Sequence, residues 1–261
     1  MEPAMRTMFK LFSNLRAGHW LPMFAMAIGL NSSSLAQQNE YFQPLNEKMA
    51  PGFVADTLAR VRQYDPAWLQ PVRIELPTAG TVSVFNGTST PNAVLAAPAQ
   101  FSVNAGHIYR LRIADMPEFP GVEVYPSIEI LDRLHPPQGR ESDFPIPVVL
   151  TEADIREAVE GHMVTRVVYL EQPQLAASFD PLRREIPQSV NPADNALQEA
   201  DKLGRPMILV RIGGRTPSGT YMPYMYYGSG GGFDPGKSVP VNTGVVKLSD
   251  KRGPKSSIAS R

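Results

Sequence analysis

Apolar and polar residues alternate along several short stretches between residues 72 and 134. Residues 72–76 (VRIEL) and 109–113 (YRLRI) place an apolar side chain at every second position. This period of two is typical of a strand with one buried face. Further short apolar runs follow turn signals such as Asn86-Gly87. Residues 72–134 are therefore predicted to form a small antiparallel β-sandwich.

One of these strands resembles a known type of module. Residues 105–113 (AGHIYRLRI) are similar to the penultimate strand of many secreted immunoglobulin-like or transthyretin-like domains. The resemblance implies a sandwich of one of these two types for residues 72–134.

Helical patterns flank and follow this region. Residues 55–64 predict a short helix with Leu58 and Val61 on one face. A second helix begins after Thr151, which is a good N-cap with Asp154 three residues later. Its predicted apolar face is Ile155, Ala158 and Val159, and a strand over 164–170 follows.

A third helix is predicted to begin at Asn191, with Pro192 at its first helical position. Its apolar stripe is Leu197, Ala200 and Leu203, and a strand over 207–212 follows. Residues 148–216 thus predict a mixed sheet with two short helices, and the chain as a whole predicts an α+β fold. A single continuous fold across 72–215 is the alternative.

Changes in composition predict the other boundaries. Residues 37–71 are an N-terminal extension, and residues 135–147 are a connector rich in proline. Residues 217–261 are rich in Tyr, Met and Gly and then basic, which predicts a disordered tail. The chain also has 26 prolines and no cysteine. The prolines disfavour a long-helix bundle, and the absence of cysteine excludes disulfides, thiol catalysis and cysteine zinc sites.

The first 36 residues predict a signal peptide. A start with Arg6, Lys10 and Arg16 precedes an apolar run over 20–30 and small residues ending at Ala36. We expect cleavage after Ala36 and a secreted or periplasmic protein. The alternative is an uncleaved membrane anchor, which would be its only contact with a membrane.

Formal charges sum to zero over the whole chain. Residues 37–246 hold 17 basic and 23 acidic residues, a net charge of −6, and the last 15 residues are basic. An acidic body does not favour nucleic acid as a partner.

A nucleotide-binding string occurs at Gly231–Ser238 (GGFDPGKS). A phosphate-binding loop needs a strand before it and a helix after it. A glycine run precedes this string, and Pro235 and Pro240 interrupt it and its continuation. We expect no nucleotide there, and no motif elsewhere calls for a cofactor or metal.

Catalytic candidates are scattered. His107, His135 and His162 match no metal-binding spacing. No serine lies in a strand-to-helix elbow. The conspicuous carboxylates are Asp132, Glu141, Asp143, Glu152 and Asp154. An envelope hydrolase that uses such carboxylates with His135 or His162 is the alternative function.

The tail carries the candidate partner-binding residues. Tyrosine and methionine are adaptable contact residues at binding surfaces. The predicted partner-binding residues are Tyr221, Tyr224, Tyr226, Tyr227, Lys251 and Arg252. Such a segment is expected to order on a partner, for example by adding a strand to a sheet edge.

Four stretches together resemble a family of uncharacterised secreted proteins of planctomycete-type bacteria. They are residues 124–137 (VYPSIEILDRLHPP), 144–151 (FPIPVVLT), 164–173 (VTRVVYLEQP) and 204–206 (GRP). The resemblance covers roughly residues 105–215 and implies export from a bacterium with a complex envelope. It implies no activity and no catalytic residue.

These patterns favour an exported, non-catalytic component of the cell envelope or surface. Its expected mode of action is contact with an envelope protein or polysaccharide. The envelope hydrolase differs from it by one geometric requirement, because two carboxylates, or a histidine and a carboxylate, would have to converge in a concave pocket.

Overall fold

Two β-sheets and three short helices make up the part of the chain that the structure describes. The structure is a computed structural model, and it describes residues 44–175, 187–217, 222–223 and 225–236. The helices are α1 (Phe53–Arg62), α2 (Glu152–Val159) and α3 (Ala196–Leu203). The strands are β1 (Gln70–Glu75), β2 (Thr81–Phe85), β3 (Ala93–Ala96), β4 (Ala99–Val103), β5 (Ile108–Ala114), β6 (Ser127–Ile130), β7 (Ile146–Val149), β8 (Val164–Glu171), β9 (Gly204–Ile212) and β10 (Phe233–Asp234).

The strands form a four-stranded and a six-stranded sheet. The four-stranded sheet has the order β10-β4-β1-β7, and the six-stranded sheet has the order β3-β2-β5-β6-β9-β8. β1 and β7 run parallel, and the other paired strands run antiparallel. The α+β class predicted from the sequence is confirmed.

Both sheets contribute to one main core. β1 contributes Val72 and Ile74 from the four-stranded sheet, and β5 contributes Leu111 and Ile113 from the six-stranded sheet. All four side chains are fully buried. The alternation along each strand therefore turns one face of each sheet toward the other sheet.

The sheet pairing joins the two parts of the chain that the sequence separates at residues 135–147. β6, from the first part, pairs with β9, from the second. β7, at the end of the connector, pairs with β1, and Ile146 lies opposite Val72. Strands from residues 72–134 and from residues 148–216 thus belong to the same sheets.

A second core covers part of the opposite face of the six-stranded sheet, which we call the outer face. Val54 and Ala55 of α1 and Leu197 of α3 pack there against Leu131 and Leu209. The two helices therefore cover the outer face over β6 and β9 and leave β2, β3 and β5 to other parts of the chain.

The helices differ in detail from the sequence prediction. Val61 of α1 is 75% exposed and Val159 of α2 is 47% exposed, so neither belongs to a buried face as predicted. α3 begins after Asn195 rather than at Asn191. The reason is a long-range contact, because the Asn195 amide also donates to the Leu45 carbonyl at 2.8 Å.

Part of the predicted disordered tail is ordered. β10 pairs with β4, and Phe233 lies opposite Val103. The ring of Phe233 lies 5.9 Å from that of Phe101, measured between centroids. The prediction of disorder is therefore wrong for residues 225–236, and residues 237–261 lie outside the described residues.

The predicted signal peptide, residues 1–36, lies outside the described residues. Within the described part of the chain, no helix combines the length and the apolar character that a membrane span requires.

Candidate functional site

A row of four side chains crosses the outer face of the six-stranded sheet. Ser83 of β2 pairs with Val94 of β3 on one side and with Arg112 of β5 on the other. Ile113, which follows Arg112 on β5, forms an antiparallel bridge with Val124. The same register places Tyr125, which follows Val124, opposite Arg112. Along β2, β3 and β5, the residues of the row alternate with residues of the core. Because successive side chains of a strand point to opposite faces of the sheet, the row lies on the face away from the core.

Tyr226 and Tyr227, which belong to the predicted C-terminal tail, form an aromatic wall beside this row. The ring of Tyr227 packs on Phe85, with 5.3 Å between centroids. The ring of Tyr226 meets Tyr227 edge-on at 5.1 Å. The guanidinium of Arg110 lies 4.3 Å from the centre of the Tyr226 ring, and its Nε donates to the Tyr226 carbonyl at 2.8 Å. The sheet itself thus fixes both tyrosines.

Backbone hydrogen bonds hold this wall in place. The Gly87 N–H donates to the Tyr227 carbonyl at 2.8 Å, and the Ser229 N–H donates to the Ile108 carbonyl at 3.0 Å. Gly228 lies between them with φ of 110°. A Cβ at Gly228 would come within 2.8 Å of the Ile108 oxygen. Glycine is therefore required here both for its conformation and for the close approach of two backbones.

The row and the wall enclose a shallow pocket of about 210 Å³, which we call the tyrosine pocket. It combines aromatic rings, serine hydroxyls, proline and valine surfaces and one guanidinium. The lining residues are Ser83, Phe85, Ser89, Pro91, Val94, Arg112, Tyr125, Pro217 and Tyr227. Its lining mixes polar groups with aromatic and aliphatic surface in similar measure, and a few convergent polar groups in a concave surface are a feature of small-ligand sites.

The polar groups of the tyrosine pocket form a short network. A terminal nitrogen of Arg112 lies 3.5 Å from Glu123 Oε1, and the Tyr125 hydroxyl donates to Glu123 Oε2 at 2.7 Å. Burial, followed by the hydrogen bond to Glu123, raises the pKa of Tyr125 to about 12. The Tyr125 hydroxyl is therefore a permanent proton donor near neutral pH. Arg112 Nε is buried and has no hydrogen-bond partner among the described residues.

A larger concavity, of about 370 Å³, lies beside β1. It contains Arg73 and Glu75, whose side chains pair with each other at 2.7 Å. Its remaining lining consists of Leu76, Thr78 and Pro98. Because its two charged groups satisfy each other and it lacks aromatic rings, it is a weaker candidate than the tyrosine pocket.

The predicted partner-binding residues divide into two groups. Tyr227 lines the tyrosine pocket and packs on Phe85, and Tyr226 packs against Tyr227 and Arg110. The remaining four, Tyr221, Tyr224, Lys251 and Arg252, lie outside the described residues. Sequence reasoning missed Ser83, Arg112 and Tyr125, although the Arg110–Arg112 alternation on β5 was a usable signal for polar residues on the outer face.

The catalytic candidates lie elsewhere and make local contacts. Asp154 caps α2 and pairs with Arg166. His162, Glu157 and Glu160 bring ligand atoms within 4.8 Å of one another at the end of α2, and all three are exposed.

Two further candidates, Asp132 and His107, make hydrogen bonds or ion pairs with neighbouring side chains. Asp132 is buried and pairs with Arg62 and Arg205. His107 is half-buried, and its Nδ1 lies 2.9 Å from Ser229 Oγ. Burial lowers the pKa of His107, which favours its neutral form.

The nucleotide-binding string also has a structural role where it is described. Gly232 donates its N–H to Asn104 Oδ1, and Phe233 and Asp234 form β10. Lys237 and Ser238 of the string lie outside the described residues.

No protein-family model, curated protein or solved structure matches this chain. The resemblance to secreted proteins of planctomycete-type bacteria stays a prediction.

Proposed function

We propose that this protein is an exported, non-catalytic component of the cell envelope or surface that binds an envelope polysaccharide through the tyrosine pocket. The observation that carries the proposal is that the row from Val94 to Tyr125 and the ring of Tyr227 line the same pocket. This arrangement brings an aromatic wall, hydroxyl groups and one cation into a single concave surface.

The chemistry of the tyrosine pocket suits a sugar ring. The C–H faces of a sugar are apolar and pack on aromatic rings, and its hydroxyls require hydrogen-bonding partners. Tyr227 and Tyr125 supply rings, and Ser83 and Ser89 supply hydroxyls. The pocket of about 210 Å³ accommodates about one sugar residue of a longer chain.

The rigidity of the pocket also supports binding. The wall is held by the Gly87–Tyr227 hydrogen bond and by the stacking of Arg110 on Tyr226. Side chains that are ordered before binding lose little conformational entropy when a ligand arrives. Affinity per contact is correspondingly higher.

The predicted location and fold type belong to the same proposal. Export after cleavage at Ala36 would bring the pocket to envelope polymers. The immunoglobulin-like or transthyretin-like sandwich type is part of the same proposal, in which the binding surface is the outer face of one sheet.

Binding of the purified full-length protein to a panel of envelope polysaccharides, measured by isothermal titration calorimetry, tests the proposal. Tyr227→Ala is expected to reduce the affinity at least about tenfold, because it removes a buried aromatic contact. Tyr227→Phe keeps the ring and is expected to retain most of the affinity. Phe144→Ala, a change at an exposed aromatic residue beside β7, is the matched control.

Three results would contradict the proposal. The first is equal affinity of Tyr227→Ala and the unchanged protein for every polymer. The second is binding to an envelope protein with no affinity for polysaccharide. The third is release of new reducing ends from the polymer, which would replace the proposal by the envelope hydrolase.

A further inference from the structure

The guanidinium of Arg112, which interacts with Tyr125 and Glu123, is only partly satisfied by the described residues. It has five N–H donors. Its Nε is buried without a hydrogen bond among the described residues. Its ion pair with Glu123 is long, at 3.5 Å. The side chain as a whole is 36% exposed and lines the pocket, so a ligand can reach the N–H donors of its terminal nitrogens but not the buried Nε.

Glu123 is only a partial partner for Arg112 because it is shared. Its Oε2 accepts the Tyr125 hydroxyl at 2.7 Å, and its side chain is 41% exposed. Burial raises the pKa of Tyr125 to about 12, so this hydroxyl keeps its proton and its hold on Glu123 near neutral pH. Arg112 thus retains donor capacity toward the pocket.

The neighbouring charges favour an anion at this place. Arg110 lies one row away on β5 and makes hydrogen bonds to the carbonyls of Tyr226 and Tyr125, both at 2.8 Å. Its polar contacts are to neutral groups, so its positive charge is not cancelled. Arg112 is the one charged residue among those that line the pocket, and Glu123 is the single acid among its neighbours named here.

We propose that the tyrosine pocket binds a sugar residue that carries a carboxylate, with the carboxylate on Arg112 and the sugar ring against Tyr227. This inference rests on the proposed function and names the class of polysaccharide, an acidic one. Planar carboxylates match the fork of a guanidinium and accept two N–H donors at once. A neutral sugar would leave the Arg112 donors unfilled.

The net negative charge of residues 37–246 leads to a specific prediction about how the binding of an acidic polysaccharide depends on salt. Residues 37–246 carry a net charge of −6, so a polyanion is not attracted by the protein as a whole. Binding of an acidic polysaccharide must then come from a local contact, and its affinity is expected to fall only modestly with salt, as for a single ion pair.

The test compares chemically matched ligands. The purified full-length protein is titrated with oligomers of glucuronate, galacturonate, mannuronate and guluronate, and with the same oligomers after reduction of each carboxyl to a neutral hydroxymethyl group. We expect at least one acidic oligomer to bind about ten- to a hundredfold more tightly than its reduced counterpart. Arg112→Gln should remove this preference, and Arg112→Lys should retain part of it.

A control variant separates the local contact from general charge. Arg140→Gln makes the same change at an exposed site, where Arg140 pairs with Asp143, and should leave the preference intact. Thermal unfolding of each variant checks that it is folded. The comparison of acidic with reduced oligomers on the unchanged protein needs no variant, so the inference stays testable if Arg112→Gln does not fold.

The outcomes distinguish the inference from the proposed function. Equal binding of acidic and reduced oligomers, with loss of both in Tyr227→Ala, overturns the inference and leaves the proposed function in place. A preference that survives in Arg112→Gln also overturns the inference. No binding to any oligomer or envelope polysaccharide overturns both.

Discussion

The ion pair between Glu129 and Arg211 offers a sharp test of how the outer face is held together. Glu129 is fully buried and Arg211 is 7% exposed. Arg211 also donates to the carbonyls of Glu47 and Met49, both at 3.1 Å. The Ala55 N–H, in the first turn of α1, donates to Glu129 Oε2 at 3.3 Å. One pair thus joins β6, β9, α1 and the N-terminal extension.

The expected loss of unfolding free energy follows from the burial of both charges. Arg211→Met leaves a buried, unpaired carboxylate, and such a change costs about 3–5 kcal/mol of unfolding free energy. Glu129→Gln costs less, because Arg211 keeps its two carbonyl acceptors and the glutamine oxygen still accepts from Ala55. The double variant buries no unpaired charge, so its loss should be smaller than the sum of the single losses by about 2 kcal/mol.

Urea unfolding followed by circular dichroism measures these three free energies. The slope of the unfolding free energy against urea concentration should be the same in all variants, since the surface exposed on unfolding hardly changes. Arg140→Met removes an exposed pair and should cost less than about 1 kcal/mol. A loss below about 1 kcal/mol in Arg211→Met, or a coupling below about 0.5 kcal/mol, would refute the reasoning.

Three further predictions follow from local features. Gly228→Ala forces a side chain toward the Ile108 carbonyl at a positive φ and should cost about 1–3 kcal/mol in urea unfolding; an unchanged midpoint would contradict the packing of the wall. Because burial holds the pKa of Tyr125 at about 12, against about 10 in the unfolded chain, stability should fall as pH rises from about 10 to 12; Tyr125→Phe should make the fall over this same pH range shallower, and an identical fall would exclude Tyr125 as a contributor. Thr151→Ala removes the hydroxyl that accepts the Asp154 N–H and should cost about 1 kcal/mol by thermal unfolding, whereas Thr151→Ser should be nearly neutral.

Features that depend on neighbouring residues were predictable from the sequence. The capping box of Thr151 and Asp154 forms as expected, because both partners lie within one helical turn. The strand of residues 108–114 also follows its pattern, with Tyr109, Leu111 and Ile113 in the core. Local hydrogen bonds and the strand period are enough to specify these elements.

Features that depend on distant residues were not predictable. β3 lies in a stretch rich in proline and alanine, residues 91–98 (PNAVLAAP), and it forms because Val82 and Val84 of β2 pair with it. The start of α3 moves to Asn195 because Leu45 and Glu47 hold that turn. Loop-like composition does not exclude a strand or a cap when a partner arrives from elsewhere in the chain.

The tyrosine pocket shows most clearly the difference between what the sequence determines and what the tertiary structure determines. The sequence alone determined that the tyrosines near the glycine run were chemically notable, and it did not single out Arg112 of β5. Only the tertiary structure decided that the start of the glycine run bonds to the sheet and brings Tyr227 into one pocket with Ser83 and Arg112. The physical reason is that glycine composition is compatible with both a flexible tail and a close backbone contact, and long-range hydrogen bonds decide between them.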